Sequence, residues 1–308
     1  MTAPTAKLAR SAAMASITVA VILVALKTWA SWRTGSTAML GSLADSALDL
    51  IASLATLTGV WVASMPADED HRFGHGKAEA LAAIFQVMLI ALSAFGIAVR
   101  AIMQLAGQHQ TGDGIAVSVI AIALPLALLG WQRYVMSRTR SLAIQTDHLH
   151  YKSDLLLNLS VIAALMLDQY AGLGLADPLF GLAIAAWLAF GAWRGASEAV
   201  DALMDREWPE SRRIAFVEAA ARHPELSNLH DLRTRTSGNR DFVQFHVDLP
   251  PAMTIEQAHA IIERVEEDLC GQFPGMELLI HIDPEGHVDK PGNPLVEDDE
   301  FAKLEKDA

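Results

Sequence analysis

The sequence predicts an α-helical membrane protein: a six-transmembrane-helix bundle followed by a cytoplasmic α+β domain of ferredoxin-like type, in the order αββαβ. Three observations carry the prediction. The 308 residues are 52% hydrophobic and 19% charged, with a mean hydropathy of +0.28, whereas a soluble chain averages about 25% charged residues. The apolar residues gather before residue 200 in stretches of the length a bilayer core requires, about 20 residues of helix. Charge is split at the same point. Up to residue 200 there are 12 Lys and Arg against 12 Asp and Glu, and beyond it 11 against 24, so the net charge of −13 belongs to the C-terminal part. Such an asymmetry suits two regions in different solvents.

Six stretches qualify as spans, near residues 11–32, 38–64, 79–105, 113–136, 142–167 and 177–199. The third, LAAIFQVMLIALSAFGIAV, and the fourth, GIAVSVIAIALPLALLGW, are the cleanest; Pro125 in the fourth is a kink that membrane helices tolerate. The first follows Lys7 and Arg10, but its apolar run exceeds the 7–15 residues of a signal-peptide core, so it reads as a retained span. Orientation follows the positive-inside rule. Lys7 and Arg10 precede span one, Arg72 and Lys77 follow span two, and Arg133, Arg138 and Arg140 follow span four. The segments TGDG after span three and DQYAGLGLADP after span five carry no Lys or Arg, and Arg33 and Arg100 lie near span ends. Both termini are therefore expected in the cytoplasm.

After residue 200 the periodicity changes. SRRIAFVEAAARHP is an amphipathic helix ending before Pro224. DLRTRTSG and RDFVQFHVDL alternate like half-buried strands around a Gly238-Asn239 turn. TIEQAHAIIERVEEDLCGQF has helical spacing, Thr254 as N-cap and Gly271 near its end, and MELLIHID is a last strand. This order suggests a two-layer α+β domain. The expected division is 1–204 for the membrane domain, 205–284 for the cytoplasmic domain and 285–308 for an acidic, flexible tail.

The net negative charge argues against nucleic acid, whose phosphates need basic patches, and suits a cationic partner. Cys270 is the one cysteine. It excludes an intrachain disulfide and Cys-rich zinc sites, leaving metal chemistry to His, Asp and Glu.

Those residue types occur where they are costly. Span two contains GSLADSALDL and span five HLHYKSDLLLN. Asp45 and Asp49 share one helix face, and so do His150 and Asp154, each pair being four residues apart. Ionisable side chains inside spans face a bundle interior or a wet cavity and mark ion paths. Packed face to face, three carboxylates and an imidazole suit Zn2+ or a similar borderline cation, in preference to Mg2+ and Ca2+, which favour oxygen-only shells. A polar helix-packing role is the plainer alternative for any one of the four; two matched pairs weigh against it. Asn158 is either a supporting group or an interhelical hydrogen bond.

With these residues in view, the chain resembles the cation diffusion facilitator family. The stretches GSLADSALDL, PADEDHRFGHGKAEALAA, HLHYKSD, HDLRTRTSG, QFHVDL, QAHAIIERVEEDL and LIHIDP run in family order over nearly the whole chain except its termini. The resemblance implies a homodimer in the bacterial inner (plasma) membrane that exports divalent metal ions in exchange for protons, with Zn2+, or Cd2+, Fe2+ or Mn2+, as substrate and as a bound regulatory or structural ion. It implies no organic cofactor and no enzymatic step. It carries the transport role onto Asp45, Asp49, His150 and Asp154, and a weaker loop site onto Asp68, His71 and His75. It further implies a cytoplasmic cluster of His230, His246, His259, His281 and Asp283 near the dimer interface, and a dimer-holding charge pair, Lys77 and Asp205. By themselves the loop residues and the charge pair read equally well as solvated charges. His148 faces a different side of its helix from His150 and is not assigned as a ligand. The Asp-Asp/His-Asp pattern differs from the His-Asp/His-Asp pattern of many eukaryotic relatives, which leaves selectivity open.

Two other classes of function fit parts of the sequence. A membrane-bound divalent-metal sensor would share the cytoplasmic ligands but has no need of matched pairs in two spans. An intramembrane metalloenzyme would need an open coordination position and a general base, and there is no H-E-x-x-H motif.

Overall fold

A computed structural model describes residues 3–34, 37–106, 115–171, 175–238, 240–286, 299–301 and 304. The segment TGDG, Gly172–Gly174 of DQYAGLGLADP, Asn239 of the turn, and most of the tail lie outside the described residues. The chain forms two units, Met1–Leu203 and Met204–Ala308.

The first unit consists of α1 (Ala3–Thr34), α2 (Thr37–Ala63), α3 (Ala78–Leu105), α4 (Ile115–Met136), α5 (Leu142–Ala171) and α6 (Ala176–Leu203). Among the described residues, four segments are long and apolar enough to cross a membrane: Thr5–Arg33, Asp45–Ala63, Ala78–Leu105 and Ala176–Leu203. The stretches of α4 and α5 predicted as spans are not in that set.

Packing inside this unit relies on small residues. Ala9, Ala12 and Ala13 of α1 join Val60, Ala82, Val135 and Ile144, and Val87, Ile90 and Ala94 of α3 meet Leu188 and Ala192 of α6. Small side chains let helix backbones approach, the usual means of association where lipid removes the hydrophobic drive. Gly59 shows how close: a Cβ there would stand 2.4 Å from that of Ala82. The outside carries the bulk instead. Phe95, Phe190 and Trp193 are 68%, 67% and 76% exposed. Apolar residues outside with polar ones inside is an arrangement for hydrocarbon and not for water.

The second unit runs α7 (Glu210–Ala220), β1 (Ser227–Ser237), β2 (Arg240–Leu249), α8 (Ile255–Gln272) and β3 (Met276–Pro284). The sheet order is β1-β2-β3, with β1 and β2 antiparallel and β2 and β3 parallel. A parallel neighbour needs a crossover, and α8 supplies it. Thr254 caps α8 in a capping box with Gln257, as its sequence position predicts. Gly271 falls within α8, and the helix stops instead at Phe273, ahead of Gly275 with φ of 87°. Val243, Phe245 and Val247 of β2 point to one face and meet Phe216 and Val217 of α7 and Ile262, Val265 and Leu269 of α8. Phe216 packs edge-on against Phe245, centroids 5.7 Å apart.

Two sequence expectations change here. β1 begins at Ser227 and not at Asp231, so His230 lies within a strand. The segment 285–308 is not wholly detached, since Phe301 and Leu304 pack against the core and Glu300 meets Arg213 at 3.8 Å. A one-turn apolar pair inside an acidic composition is easily overlooked.

Phe245 is fully buried at the centre of this core. Phe245→Ala in the segment 204–308 should therefore cost about 3–5 kcal/mol, measured by denaturant unfolding against the unaltered segment.

Candidate metal centre

In the first unit, α2 and α5 bring Asp49, His150 and Asp154 together. One ligand atom from each lies within 4.8 Å of the others. His150 Nε2 is 3.0 Å from Asp49 Oδ1 and 3.8 Å from Asp154 Oδ2. His150 is buried, and Asp49 and Asp154 are partly so. One imidazole nitrogen facing two carboxylates is a donor set for a borderline divalent cation. Asp45 does not join this group. It lies one turn earlier on α2 with its side chain exposed, so the expected four-residue set is three residues with a fourth beside it. On that side Lys27 of α1 donates to Ser46 Oγ at 2.6 Å. Asn158 donates to the backbone oxygen of Asp154 at 2.9 Å, a bond within its own helix.

Asp147, which the sequence reading passes over, accepts side-chain hydrogen bonds from three other helices among the described residues. It is fully buried. Its Oδ2 accepts from Ser16 Oγ of α1 at 2.5 Å and from Gln132 Nε2 of α4 at 2.7 Å, and its Oδ1 accepts from Gln86 Nε2 of α3 at 2.9 Å. Gln86 also donates to Thr56 Oγ1 of α2 at 2.6 Å and accepts from Thr146 Oγ1 at 2.5 Å. His148, left unassigned by sequence, pairs its Nδ1 with Gln132 Oε1 at 3.2 Å. The available signal was a set of isolated polar residues inside apolar runs: Ser16, Thr56, Gln86, Gln132 and Asp147.

The loop between α2 and α3 gathers Asp68, His71 and His75 within 4.8 Å. Asp68 Oδ1 accepts from the backbone N–H groups of Asp70 and His71 at 3.1 and 2.6 Å. His71 Nδ1 stands 3.1 Å and His75 Nε2 3.2 Å from its two oxygens. The His71 N–H, followed by the His71 side chain, holds the Asp68 carboxyl below the usual aspartate range, since bonds to the ionised form favour it.

In the second unit the sheet register builds the cluster. His230 on β1 pairs with His246 on β2, which pairs with His281 on β3, so three imidazoles lie in one row across the sheet. His246 Nδ1 is 2.8 Å from Asp283 Oδ2, His230 Nε2 is 3.7 Å from the same oxygen, and His281 Nε2 is 3.6 Å from Oδ1. His230 Nδ1 donates to the Asn228 carbonyl at 2.7 Å. That bond sets the tautomer and leaves Nε2 as a lone pair facing Asp283, the usual way a protein prepares a metal-binding histidine. Register breaks flank His230, and Asn228 and Asp231 adopt left-handed φ of 49° and 50°, which Asn and Asp tolerate better than most residues. His230, His246 and Asp283 bring ligand atoms within 4.8 Å of one another, so the residues fit a bound divalent ion. His259 is the exception: it lies exposed on α8. Phe245 and Val247 turn toward α8, and alternation turns His246 to the opposite face, so the cluster and α8 occupy different sides of the sheet.

Lys77 and Asp205 fall in different units. Lys77 Nζ donates to the Leu203 carbonyl at 3.1 Å in the first, and Asp205 meets Arg235 at 3.5 Å in the second.

Comparison with known proteins agrees with the chemistry. The family model of the cation efflux transmembrane domain matches residues 13–204, and that of the cation efflux protein cytoplasmic domain matches residues 209–285. A cation-efflux pump FieF of Serratia proteamaculans (strain 568) is 42% identical over 282 residues, covering 91% of this chain and 94% of its own. The cation-efflux pump FieF of Yersinia enterocolitica is 41% identical over 288 residues, covering 92% and 96%. A solved structure of CzrB in its Zn form is 35% identical and covers 28% of this chain and 99% of that one, with a TM-score of 0.25.

Protons compete with metal for imidazole nitrogen. Divalent-metal affinity of the segment 204–308 should therefore fall as pH drops. Competition calorimetry across roughly pH 5–8 checks this, and His246→Ala should weaken binding throughout. For the loop, Asp68 stays ionised throughout that range, and the His71→Gln, His75→Gln double variant, which leaves Asp68 as the one ligand of the three, should lose metal binding there by the same measurement.

Proposed function

The chain belongs to the cation efflux family, and from that premise we propose that it is a proton-coupled antiporter. It exports divalent metal cations from the cytoplasm, with Zn2+ as substrate and Cd2+, Fe2+ and Mn2+ as further candidates. The observation that carries the reading is the convergence of Asp49, His150 and Asp154 on two helices inside a body whose exterior is apolar. Intramembrane ionisable groups that face one another mark ion paths.

In this reading all six helices of the first unit span the inner membrane of a bacterium, with both termini cytoplasmic as the Lys and Arg distribution requires. The metal is held by Asp49, His150 and Asp154, and Asp45 completes the set. A bound cation takes the place of the hydrogen between His150 Nε2 and Asp49, because a ligand imidazole must be neutral on that nitrogen and the carboxylates ionised. Protons reverse the exchange. In the inward-facing state metal displaces protons; in the outward-facing state protons displace metal. The two states differ by rocking of helices around a fixed site.

The loop residues Asp68, His71 and His75 form a weaker site where the ion arrives. The active form is a homodimer, with Lys77 and Asp205 helping to hold it. In the second unit His230, His246, His281 and Asp283 hold a regulatory or structural divalent ion, and His259, on the other side of the sheet, takes no part in it within one protomer. Such an ion supplies positive charge that cross-links strands. It biases transport only if it binds one state more tightly than the other.

Proteoliposomes loaded across a panel of Zn2+, Cd2+, Fe2+ and Mn2+, with and without a pH gradient, test the reading. Flux should need the gradient, and Asp154→Ala should reduce it to the level of empty liposomes. Retained flux in Asp154→Ala would remove the site assignment. Zn2+ binding with no flux in the unaltered protein would favour a membrane-bound sensor.

A further inference from the structure

The metal site as proposed makes no use of Asp147, yet five helices are organised around it. Asp147 precedes His150 by three residues, about 4.5 Å along α5 toward its N-terminus. At this level Ser16, Gln132 and Gln86 deliver donors from α1, α4 and α3 to one buried carboxylate, and Thr56 of α2 holds Gln86. Tyr151 adds a second tie. Its hydroxyl donates to the Ser16 carbonyl at 3.0 Å and lies 3.0 Å from Ser53 Oγ of α2. Asp147, Ser16, Ser53, Thr56, Gln86, Gln132 and Tyr151 are all buried. The opposite side of the metal site differs: Asp45 is exposed and Asp154 is 33% exposed.

An ion held by Asp49, His150 and Asp154 is therefore shut off on the Asp147 side and reachable on the Asp45 side. We propose that Asp147, tied by Ser16, Gln86 and Gln132, is the inner gate of the ion path, closed in this conformation, and that its carboxylate takes hold of the incoming divalent cation as those bonds part. This rests on the transport reading and its orientation, in which the N-terminal end of α5 faces the cytoplasm. Metal coming from that side has to pass between α1, α3, α4 and α5 at this level. Parting the helices strips a buried carboxylate of three neutral donors, which is costly unless a partner of opposite charge replaces them. The arriving cation is that partner. The gate then opens more readily toward cargo than toward water alone. In transporters such coupling prevents a continuous leak, since access has to alternate around the site.

The test uses the full-length protein in proteoliposomes, with Ser16→Ala, Gln132→Leu and Asp147→Asn. Hydroxyl-radical labelling of Tyr151 reports water at the gate, and Leu188, buried between α3 and α6, serves as a control for general loosening. The unaltered protein should protect Tyr151 in the absence of metal. Removing one bond to the carboxylate should raise Tyr151 labelling about tenfold, the shift expected from one charge-assisted hydrogen bond, with Leu188 still protected. Asp147→Asn should lower Zn2+ turnover about tenfold or more while the equilibrium Kd for Zn2+ stays within about threefold, because a gate affects passage and not the ligands. Unchanged Tyr151 labelling and unchanged turnover in Ser16→Ala and Asp147→Asn would overturn the gate while flux that is lost in Asp154→Ala leaves the transport reading standing. Absence of Zn2+ flux in the unaltered protein would overturn both. Should Asp147→Asn fail to fold, Ser16→Ala and Gln132→Leu carry the same labelling test.

Discussion

A charged or polar side chain removed from water has to find its partners inside the protein, and the first unit is arranged around that constraint. Two solutions occur a single helical turn apart on α5. Asp147 is saturated: three neutral donors from three other helices fill its oxygens. Asp49, His150 and Asp154 are only partly satisfied, with one close contact at 3.0 Å and a second at 3.8 Å. A saturated carboxylate joins helices. Carboxylates that share one imidazole retain lone pairs for a cation. Proximity of the two makes helix packing and ion occupancy parts of the same balance.

The second unit solves the positioning problem by register instead. Antiparallel pairing sets His230 opposite His246, and parallel pairing sets His246 beside His281. A row across a sheet is rigid because each strand is held by its neighbours and by the core beneath it. Phe245 and Val247 anchor β2 on the core side, so His246 is fixed from behind. The register breaks in β1, with left-handed Asn228 and Asp231, aim His230 toward Asp283 as bulges commonly re-aim a side chain. Asn228 has two uses, since its carbonyl also sets the His230 tautomer and its side chain bonds Asp248.

Much of this was legible in the sequence, for physical reasons that differ by level. Long apolar runs and their Lys and Arg flanks report helices without any tertiary information. The four-residue spacing within Asp45–Asp49 and His150–Asp154 reports a shared face because helix geometry is local. What spacing cannot report is rotation of that face: Asp49 turns inward while Asp45 stays exposed. Nor does it report partners on other helices, and so Asp147 was invisible, its meaning lying entirely in Ser16, Gln86 and Gln132. The start of β1 was misplaced because a bulged strand breaks the alternation used to find it. His259 has the right residue type but lies on the helical layer, and which face of the sheet a helix covers is a property of topology. Phe301 and Leu304 were lost in an acidic tail because composition averages out a pair of anchors.

The two candidate metal centres also differ in how firmly their ligands are held, and this bears on what each is for. A transport site must release what it binds, so its ligands cannot all be locked in place. Asp154 is 33% exposed and its imidazole contact is long, and Asp45 stands aside from the group. The cytoplasmic cluster is built the other way. A backbone carbonyl fixes one imidazole, strand pairing fixes the row, and Asp283 is buried among them. Loose ligands between helices that have to move, and rigid ligands on a sheet that does not, is the division expected of a protein in which one site carries the ion and the other senses or retains it. The gate at Asp147 belongs to the first class by location and to the second by construction: a rigid lock set beside a loose site, so that motion of the helices decides when the ion can pass.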